Sequence, residues 1–422
     1  MLDIHYLREH AQEVKDNLKK RNDPQLPPMV DEVLELDKEW REIKKEADQL
    51  RHERNKISSE INKAVKAGKP IDQLKKKAKD LPEQIQHYTE QITAIEKHMR
   101  DLLLRIPNML HDSVPIGTDD SDNEEIKRWG KTPTPSFPLV SHAELLEQLG
   151  QADFDNARKT SGAGFVFILD KLAMLDLALQ RFAIDHLRNK GFTLIAPPLM
   201  MRREAYEGVT DLGDFENVMY KIDNEDEYLI ATSEHPIAAR LMNDVLEEKE
   251  LPLKFVGVSP CFRKEIGSHG IDTKGLFRMH QFNKVEQFIF CKPEQSWKLH
   301  EELQRNSEEL FEALEIPYRV VNICTGDIGI VAAKKYDIEA WFPREETYRE
   351  VTSCSNCTSY QAVRLNIRYQ KGEDREYIHT LNNTAIATSR ALRAIVEHYQ
   401  QPDGTIKIPK VLQPYCGFDK IA

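Results

Sequence analysis

Long apolar runs, clustered cysteines and a positive charge balance are what this 422-residue chain lacks. No apolar stretch approaches the ~18 residues of a membrane-spanning helix. The start, Met1-Leu-Asp-Ile-His-Tyr, does not read as a secretory signal. No membrane partner is expected. The six cysteines are scattered, apart from Cys354 and Cys357. That usage fits free thiols in a reducing cytoplasm, which is the expected location. The Cys354–Cys357 spacing suits zinc, but no second Cys/His pair stands at a suitable distance, so no zinc is expected. A net charge of −11 excludes a globally basic nucleic-acid binder; such a partner needs a local basic patch. The length itself implies two or more domains and a large core.

What is present begins with a seam. Leu36, Trp40, Ile43, Ala47, Leu50, Arg54, Ile57, Ile61 and Ala64 alternate spacings of four and three. After Gly68 and Pro70 the pattern resumes at Leu74, Ala78, Leu81, Ile85, Tyr88, Ile92, Ile95, Met99, Leu102 and Ile106. This predicts an antiparallel two-helix coiled-coil arm with its tip near 66–70, each helix roughly 50 Å long. Pro82 predicts a kink or break in the second helix. Leu2–Leu18 reads as a further short amphipathic helix. From Lys44 to Lys79, twelve basic residues face five acidic ones. A basic outer arm on an acidic protein suits a phosphate backbone, though a solvated coiled coil explains the same residues.

The domain reading is 1–107 for a helical unit, 108–138 for a proline-marked linker and 139–422 for a mixed α+β body. In the body, Leu172–Asn189 reads as a helix closed by Gly191. Phe192–Pro198 reads as an edge strand ending in two prolines. Thr232, Ser233 and Glu234 lie at a strand end before a helix. Ser296–Leu314 and Thr384–Gln400 read as helices, the latter placing Arg390 about two turns from its start.

The stretch Pro260–Glu286 is the most informative. Two strands are joined by a loop containing Gly267, Gly270 and Gly275. Arg263 and Glu265 share one strand face, while Arg278 opens the second strand and Glu286 follows. Two arginines and two carboxylates on one surface suit a phosphate-bearing substrate that also carries a cation or hydroxyl; a solvated hairpin is the alternative. Glu350, Thr352 and Ser353 are hard oxygen groups that suit Mg²⁺ beside phosphates, or a simple Ser/Thr turn.

Together these motifs resemble class II aminoacyl-tRNA synthetases. The residues that carry the resemblance are Phe262-Arg-Lys-Glu265, the glycine loop, the strand ending at Pro197 and the late strand–helix holding Arg390. The long hairpin, Gly275–Glu286, Thr232–Glu234 and Glu350–Cys357 are similar to the seryl-tRNA synthetase family, and the bacterial-type, non-zinc branch is expected. The resemblance implies an antiparallel sheet flanked by helices and a homodimer. It also implies activation of L-serine with ATP and Mg²⁺, then transfer to tRNA(Ser), with tRNA(Sec) as a further candidate.

Residue by residue, the resemblance implies the following. Arg263 and Arg390 carry catalysis. Thr232, Ser233, Glu234, Arg263, Glu286 and Thr384 bind serine. Arg263, Lys264, Glu265, Arg278, Phe282, Glu350, Val351, Thr352, Ser353 and Arg390 bind ATP, with Glu350 and Ser353 on Mg²⁺. Arg51, Arg54, Lys63, Lys66, Lys69 and Lys75 touch tRNA. Asn383–Arg390 departs from the family in lacking glycines, which puts its local backbone in question. A carrier-protein ligase should lack the basic arm. A threonine or proline synthetase should carry more chain after Gln400.

Overall fold

The structure is a computed structural model. It describes residues 1–265 and 274–422, with the side chains of residues 214 and 215 also outside the description. Gly267 and Gly270 therefore lie outside the described residues. The chain divides into two compact units, Met1–Pro107 and Asn108–Ala422.

The first unit is helical: α1 (Ile4–Lys19), α2 (Leu26–Lys66), α3 (Asp72–Ala78) and α4 (Leu81–Arg105). The Asp3 side chain accepts the His5 N–H and caps α1. Asp37 on α2 is buried and receives Arg8 Nε at 2.9 Å and Arg41 Nε at 3.0 Å. Burial works to raise its carboxyl, but the two guanidiniums outweigh that and hold it below the usual range. The α2–α4 pairing is antiparallel: Trp40 Nε1 donates to Glu96 at 3.0 Å, while Arg51 reaches Thr89 at 3.3 Å.

The seam follows the sequence pattern. Ala47, Ile57, Leu81, Ile95 and Leu102 are buried, and the polar seam residue Arg54 turns outward to Asn55. Gly68 makes the tip with φ of 65°. The expected break falls at Lys79–Asp80. Pro82 has no N–H to continue the ladder from α3, so a new helix starts with the proline in its first turn.

The second unit is built on an eight-stranded sheet. Its strands are β1 (Glu124–Trp129), β2 (Thr193–Ile195), β3 (Leu253–Phe262), β4 (Gln281–Cys291), β5 (Tyr318–Asn322), β6 (Lys334–Phe342), β7 (Thr347–Asn356) and β8 (His379–Ala387). Their order is β1-β5-β6-β7-β8-β4-β3-β2. Neighbours run antiparallel except β2 beside β3. The helices that matter here are α5 (His142–Gln148), α6 (Asp170–Asn189), α7 (Glu234–Ala239), α8 (Ser296–Ala313), α9 (Tyr360–Leu365) and α10 (Thr388–Tyr399).

Alternation along β4 sorts the two faces. Val285, Ile289 and Cys291 enter the main core with Leu179 of α6, Leu303 of α8 and Ile395 of α10. Phe288 and Phe290 enter a second core with Tyr206, Tyr228, Ile237 and Phe255. Phe282, Lys284 and Glu286 share the parity of Phe288, so they face away from the α6–α8 layer.

Two sequence readings need correction. Residues 108–138 are no free linker: they belong to the second unit, and β1 pairs with β5 to close one sheet edge. Asn108 adds hydrogen bonds to Val331 O at 2.9 Å and Cys357 O at 2.8 Å. The predicted helix Thr384–Gln400 also starts late. Thr384, Ile386 and Ala387 are held in β8 by pairing with Glu286, Val285 and Lys284, and α10 begins only at Thr388. Arg390 thus lies in the first turn of that helix, because the sheet ladder overrides the helix-like pattern.

Candidate active site

β4 and β8 bring the first group together. Glu286 is buried, and its Oε2 receives Lys284 Nζ at 2.6 Å and Thr384 Oγ1 at 3.2 Å. Thr384 stands directly opposite Glu286 in the ladder; just beyond it Ala385 is an extra residue in β8, a bulge that breaks the register between Thr384 and Ile386. That small residue, and no glycine, answers the backbone question raised by the sequence. Glu234 stands at the start of α7. Its Oε1 receives Gln361 Nε2 at 3.1 Å and Asn382 Nδ2 at 3.0 Å. Burial, then the nearby Glu286, push the Glu234 carboxyl up to about 7, against Lys284, Gln361 and Arg263. Thr232 Oγ1 accepts the Glu234 N–H at 3.2 Å. Ser233 is fully buried, and its Oγ has no hydrogen-bond partner among the described residues. It lies against Gly257, where a Cβ would come within 2.8 Å of Ser233 Oγ.

Arg263 continues the β3 face. Its Nε donates to Ala231 O at 3.2 Å, and its guanidinium lies 5.6 Å from the Phe282 ring. Its charge acts on both Glu234 and Glu350, in each case lowering the carboxyl. Lys264 extends over Tyr220, with 5.6 Å from Nζ to the ring. Glu265 and Arg278 face each other at 4.0 Å. Arg278 is exposed and lines a cleft of about 130 Å³ with Phe277, Lys274 and Arg158.

A second bulge shapes β7. Glu350 pairs with Glu339 and Thr352 with Ile338, so Val351 is the extra residue. Without it, Glu350 and Ser353 would point to opposite faces; with it they share one. Val351 and Thr352 are buried, and Thr352 Oγ1 has no hydrogen-bond partner among the described residues. Ser353 pairs across the strands with Asp337, which lies 3.3 Å from Lys335. Burial and the Glu350 charge raise the Asp337 carboxyl. Burial also works to raise Glu350, but Arg390, Lys335 and Arg263 prevail and hold it low. The β7–β8 ladder ends at Cys354–Asn383. Past that point Arg390 fills the gap. It meets Glu350 Oε1 and the Glu350 carbonyl at 3.0 Å each, and lies 5.2 Å from the Phe277 ring.

Among the described residues, no group of three or more His, Cys, Asp or Glu side chains could hold a metal ion. One carboxylate and one hydroxyl, Glu350 and Ser353, still fit Mg²⁺, which keeps waters and takes phosphate oxygens as its other ligands. On the first unit, Arg54, Lys63, Lys66, Lys69 and Lys75 are exposed, whereas Arg51 is partly engaged with Asp48 at 2.9 Å and with Thr89.

Sequence reasoning missed Lys284, Gln361 and Asn382. Lys284 left a signal, since it alternates with Glu286 in a strand with no other charged residue. Two charges on one face of a buried strand are costly unless paired. Gln361 and Asn382 left none, because neutral amides in a helix and a strand have no distinguishing spacing.

Comparison with known proteins extends the picture over the whole chain. Residues 1–110 match the seryl-tRNA synthetase N-terminal domain, and residues 217–399 match the tRNA synthetase class II core domain (G, H, P, S and T). A serine–tRNA ligase from Methanospirillum hungatei is 57% identical over 420 residues, covering 99% of each chain. The crystal structure of seryl-tRNA synthetase from Pyrococcus horikoshii complexed with ATP superposes with a TM-score of 0.91 at 51% identity, covering 100% of this chain and 99% of that one. The cytoplasmic serine–tRNA ligase of Naegleria fowleri, in complex with AMP, gives 0.86 at 38% identity, covering 100% and 98%. The bacterial-type assignment finds no support, since the first two of these relatives are archaeal. Matched at both ends and along its length, the chain belongs to the seryl-tRNA synthetase family of class II synthetases.

Proposed function

We infer that this chain is an ATP-dependent serine–tRNA ligase. It forms seryl-adenylate and then passes serine to the 3′ end of tRNA(Ser), with tRNA(Sec) a second acceptor to test. One observation carries the reading. Glu286 and Thr384 are buried and bonded to each other, the Glu286 and Arg263 charges both act on Glu234, and Arg263 in turn neighbours the Phe282 ring.

The first step joins two anions, the serine carboxylate and the α-phosphate of ATP. The site must cancel their repulsion and hold them in line. The Arg263 fork suits a bridge between both, a geometry lysine does not copy. Phe282 offers a face to adenine and Glu265 an acceptor to its amino group. Arg278 and Arg390 take the outer phosphates, releasing Glu265 and Glu350 from their present pairing. A bound Mg²⁺ would supply charge neutralisation at the leaving pyrophosphate, with Glu350 and Ser353 holding it. Glu234 and Thr232 take the ammonium, and Glu286 and Thr384 take the hydroxyl. In the second step the 3′-terminal ribose hydroxyl attacks the adenylate carbonyl.

The basic tip of the first unit, with Lys63, Lys66, Lys69 and Lys75 exposed, is the proposed tRNA surface. A homodimer is proposed through the edge strand β2 and helix α6, where Leu194, Met174 and Leu177 are exposed apolar residues. No helix among the described residues is long and apolar enough to cross a membrane. The test is a pyrophosphate-exchange panel over serine, threonine, alanine and glycine. Exchange with serine alone supports the reading, and exchange favouring any other amino acid refutes it.

A further inference from the structure

His142 opens α5 and is fully buried, far along the chain from every residue assigned above. Its Nε2 accepts the N–H of Leu276 at 3.0 Å. Its Nδ1 faces Glu397 Oε1 at 3.9 Å. Burial, then Arg393 and Arg344, pull the imidazole down to about 3, so the ring is neutral at ordinary pH. An accepting Nε2 puts the single ring proton on Nδ1, toward Glu397.

Glu397 belongs to α10 and receives Arg393 Nε at 2.9 Å; Arg393 also pairs with Glu345. The Arg393 guanidinium lies 5.0 Å from the Phe277 ring and 4.7 Å from the Phe342 ring. Arg390, one turn earlier, lies 5.2 Å from that same Phe277 ring. Residues 390, 393 and 397 follow the i, i+3, i+7 spacing of one helix face. Gly275 completes the contact, since a Cβ there would run into the imidazole, 2.8 Å from Cε1.

An apolar residue would fill this site as well as histidine does, but it would leave the Leu276 N–H buried without a partner. We propose that His142 is a positioning residue that docks Gly275–Arg278 against α10, so that Arg278 and Arg390 grip the outer phosphates of ATP as one unit. The proposal rests on the ATP reading given above. The catalytic groups remain the arginines; His142 acts through the backbone of Leu276 and the ring of Phe277.

The test uses the full chain with His142→Leu, His142→Gln and Gly275→Ala. ATP and AMP binding are measured by calorimetry, and KM for ATP and serine by pyrophosphate exchange. His142→Leu removes the acceptor and should weaken ATP about tenfold, the scale of one lost buried hydrogen bond. AMP, which lacks the outer phosphates, and the KM for serine should stay within about twofold, no more than independent sites interact. His142→Gln places an amide oxygen near the old Nε2 and should recover most of the ATP affinity. Gly275→Ala wedges the same contact and should copy His142→Leu, which covers the case where the leucine variant does not fold. Unchanged ATP binding, equal losses of ATP and AMP, or failure of both variants to fold would each overturn the proposal. A wild-type chain without serine-dependent exchange would instead sink the ligase reading.

Discussion

The role proposed for Glu234 predicts that serine binding depends on pH in a calculable way. Burial and Glu286 push its carboxyl up to about 7. A substrate ammonium needs the ionised form, so protons compete with serine below that value. With one such group, the apparent dissociation constant scales as one plus the ratio of proton concentration to its acid constant. From pH 8 to pH 6 that factor grows about tenfold, or ~1.4 kcal/mol. The sign is fixed: binding weakens as pH falls through 7 and is flat well above it. His235 does not blur the curve, because burial, with Lys284 and Arg263 adding, pulls it to about 3 and it stays neutral throughout. The assay is the KM for serine in pyrophosphate exchange between pH 6 and 8.5 at saturating ATP, with the KM for ATP followed as a control. A serine KM that is flat across this range would refute the reasoning.

Three further outcomes are expected. Arg263→Ala should lower serine-dependent exchange by at least ~10³-fold, since the guanidinium acts on charge at the reacting centre; near-normal exchange would remove its assigned role. Lys284→Met leaves Glu286 facing Glu234 with no cation at 2.6 Å. The KM for serine should then rise by ~100-fold or more, with Lys284→Arg partly restoring it and the KM for ATP little changed. Excision of residues 34–104 should spare adenylate formation and cripple tRNA charging, measured by exchange and by aminoacylation side by side; intact charging would show that the arm does not read tRNA.

Legibility in the sequence followed physical range. The helical pairing of the arm was readable because a coiled-coil seam is a local, repeated signal: Ala47, Ile57 and Ile95 are buried where the period puts them, although Arg54 turns outward. The order of strands in the body was readable only in part. Thr384–Ala387 carries helix-compatible spacing, yet pairing with β4 holds it extended. The bulges at Ala385 and Val351 were not legible at all, since an alanine and a valine in a strand announce nothing. The Val351 insertion puts Glu350 and Ser353 on one face, and the Ala385 insertion shifts β8 just beyond the Thr384–Glu286 pair. The residue types of the site could be read from the chain, but its geometry depends on ladder register that only the folded sheet reveals.

The two pocket carboxylates have different partners, and that difference assigns them different work. Glu286 already has a counter-ion, Lys284, and a hydroxyl, Thr384, on its Oε2. Its charge is compensated, so what it offers a substrate is an acceptor lone pair on the other oxygen. Glu234 accepts hydrogen bonds from the neutral amides of Gln361 and Asn382 and makes no ion pair among the described residues. In the proposed function it takes the amino-acid ammonium, while the substrate carboxylate meets Arg263. The consequence separates two isosteric changes. Glu234→Gln should weaken serine and alanine by similar factors, because both carry the ammonium. Glu286→Gln should weaken serine far more than alanine, eroding a preference that an unpaired buried acceptor can raise to about 10⁴. Exchange kinetics with both amino acids on both variants measure this directly. If Glu234→Gln proves the more damaging to serine-over-alanine selection, the assignment of ammonium to Glu234 and hydroxyl to Glu286 is reversed.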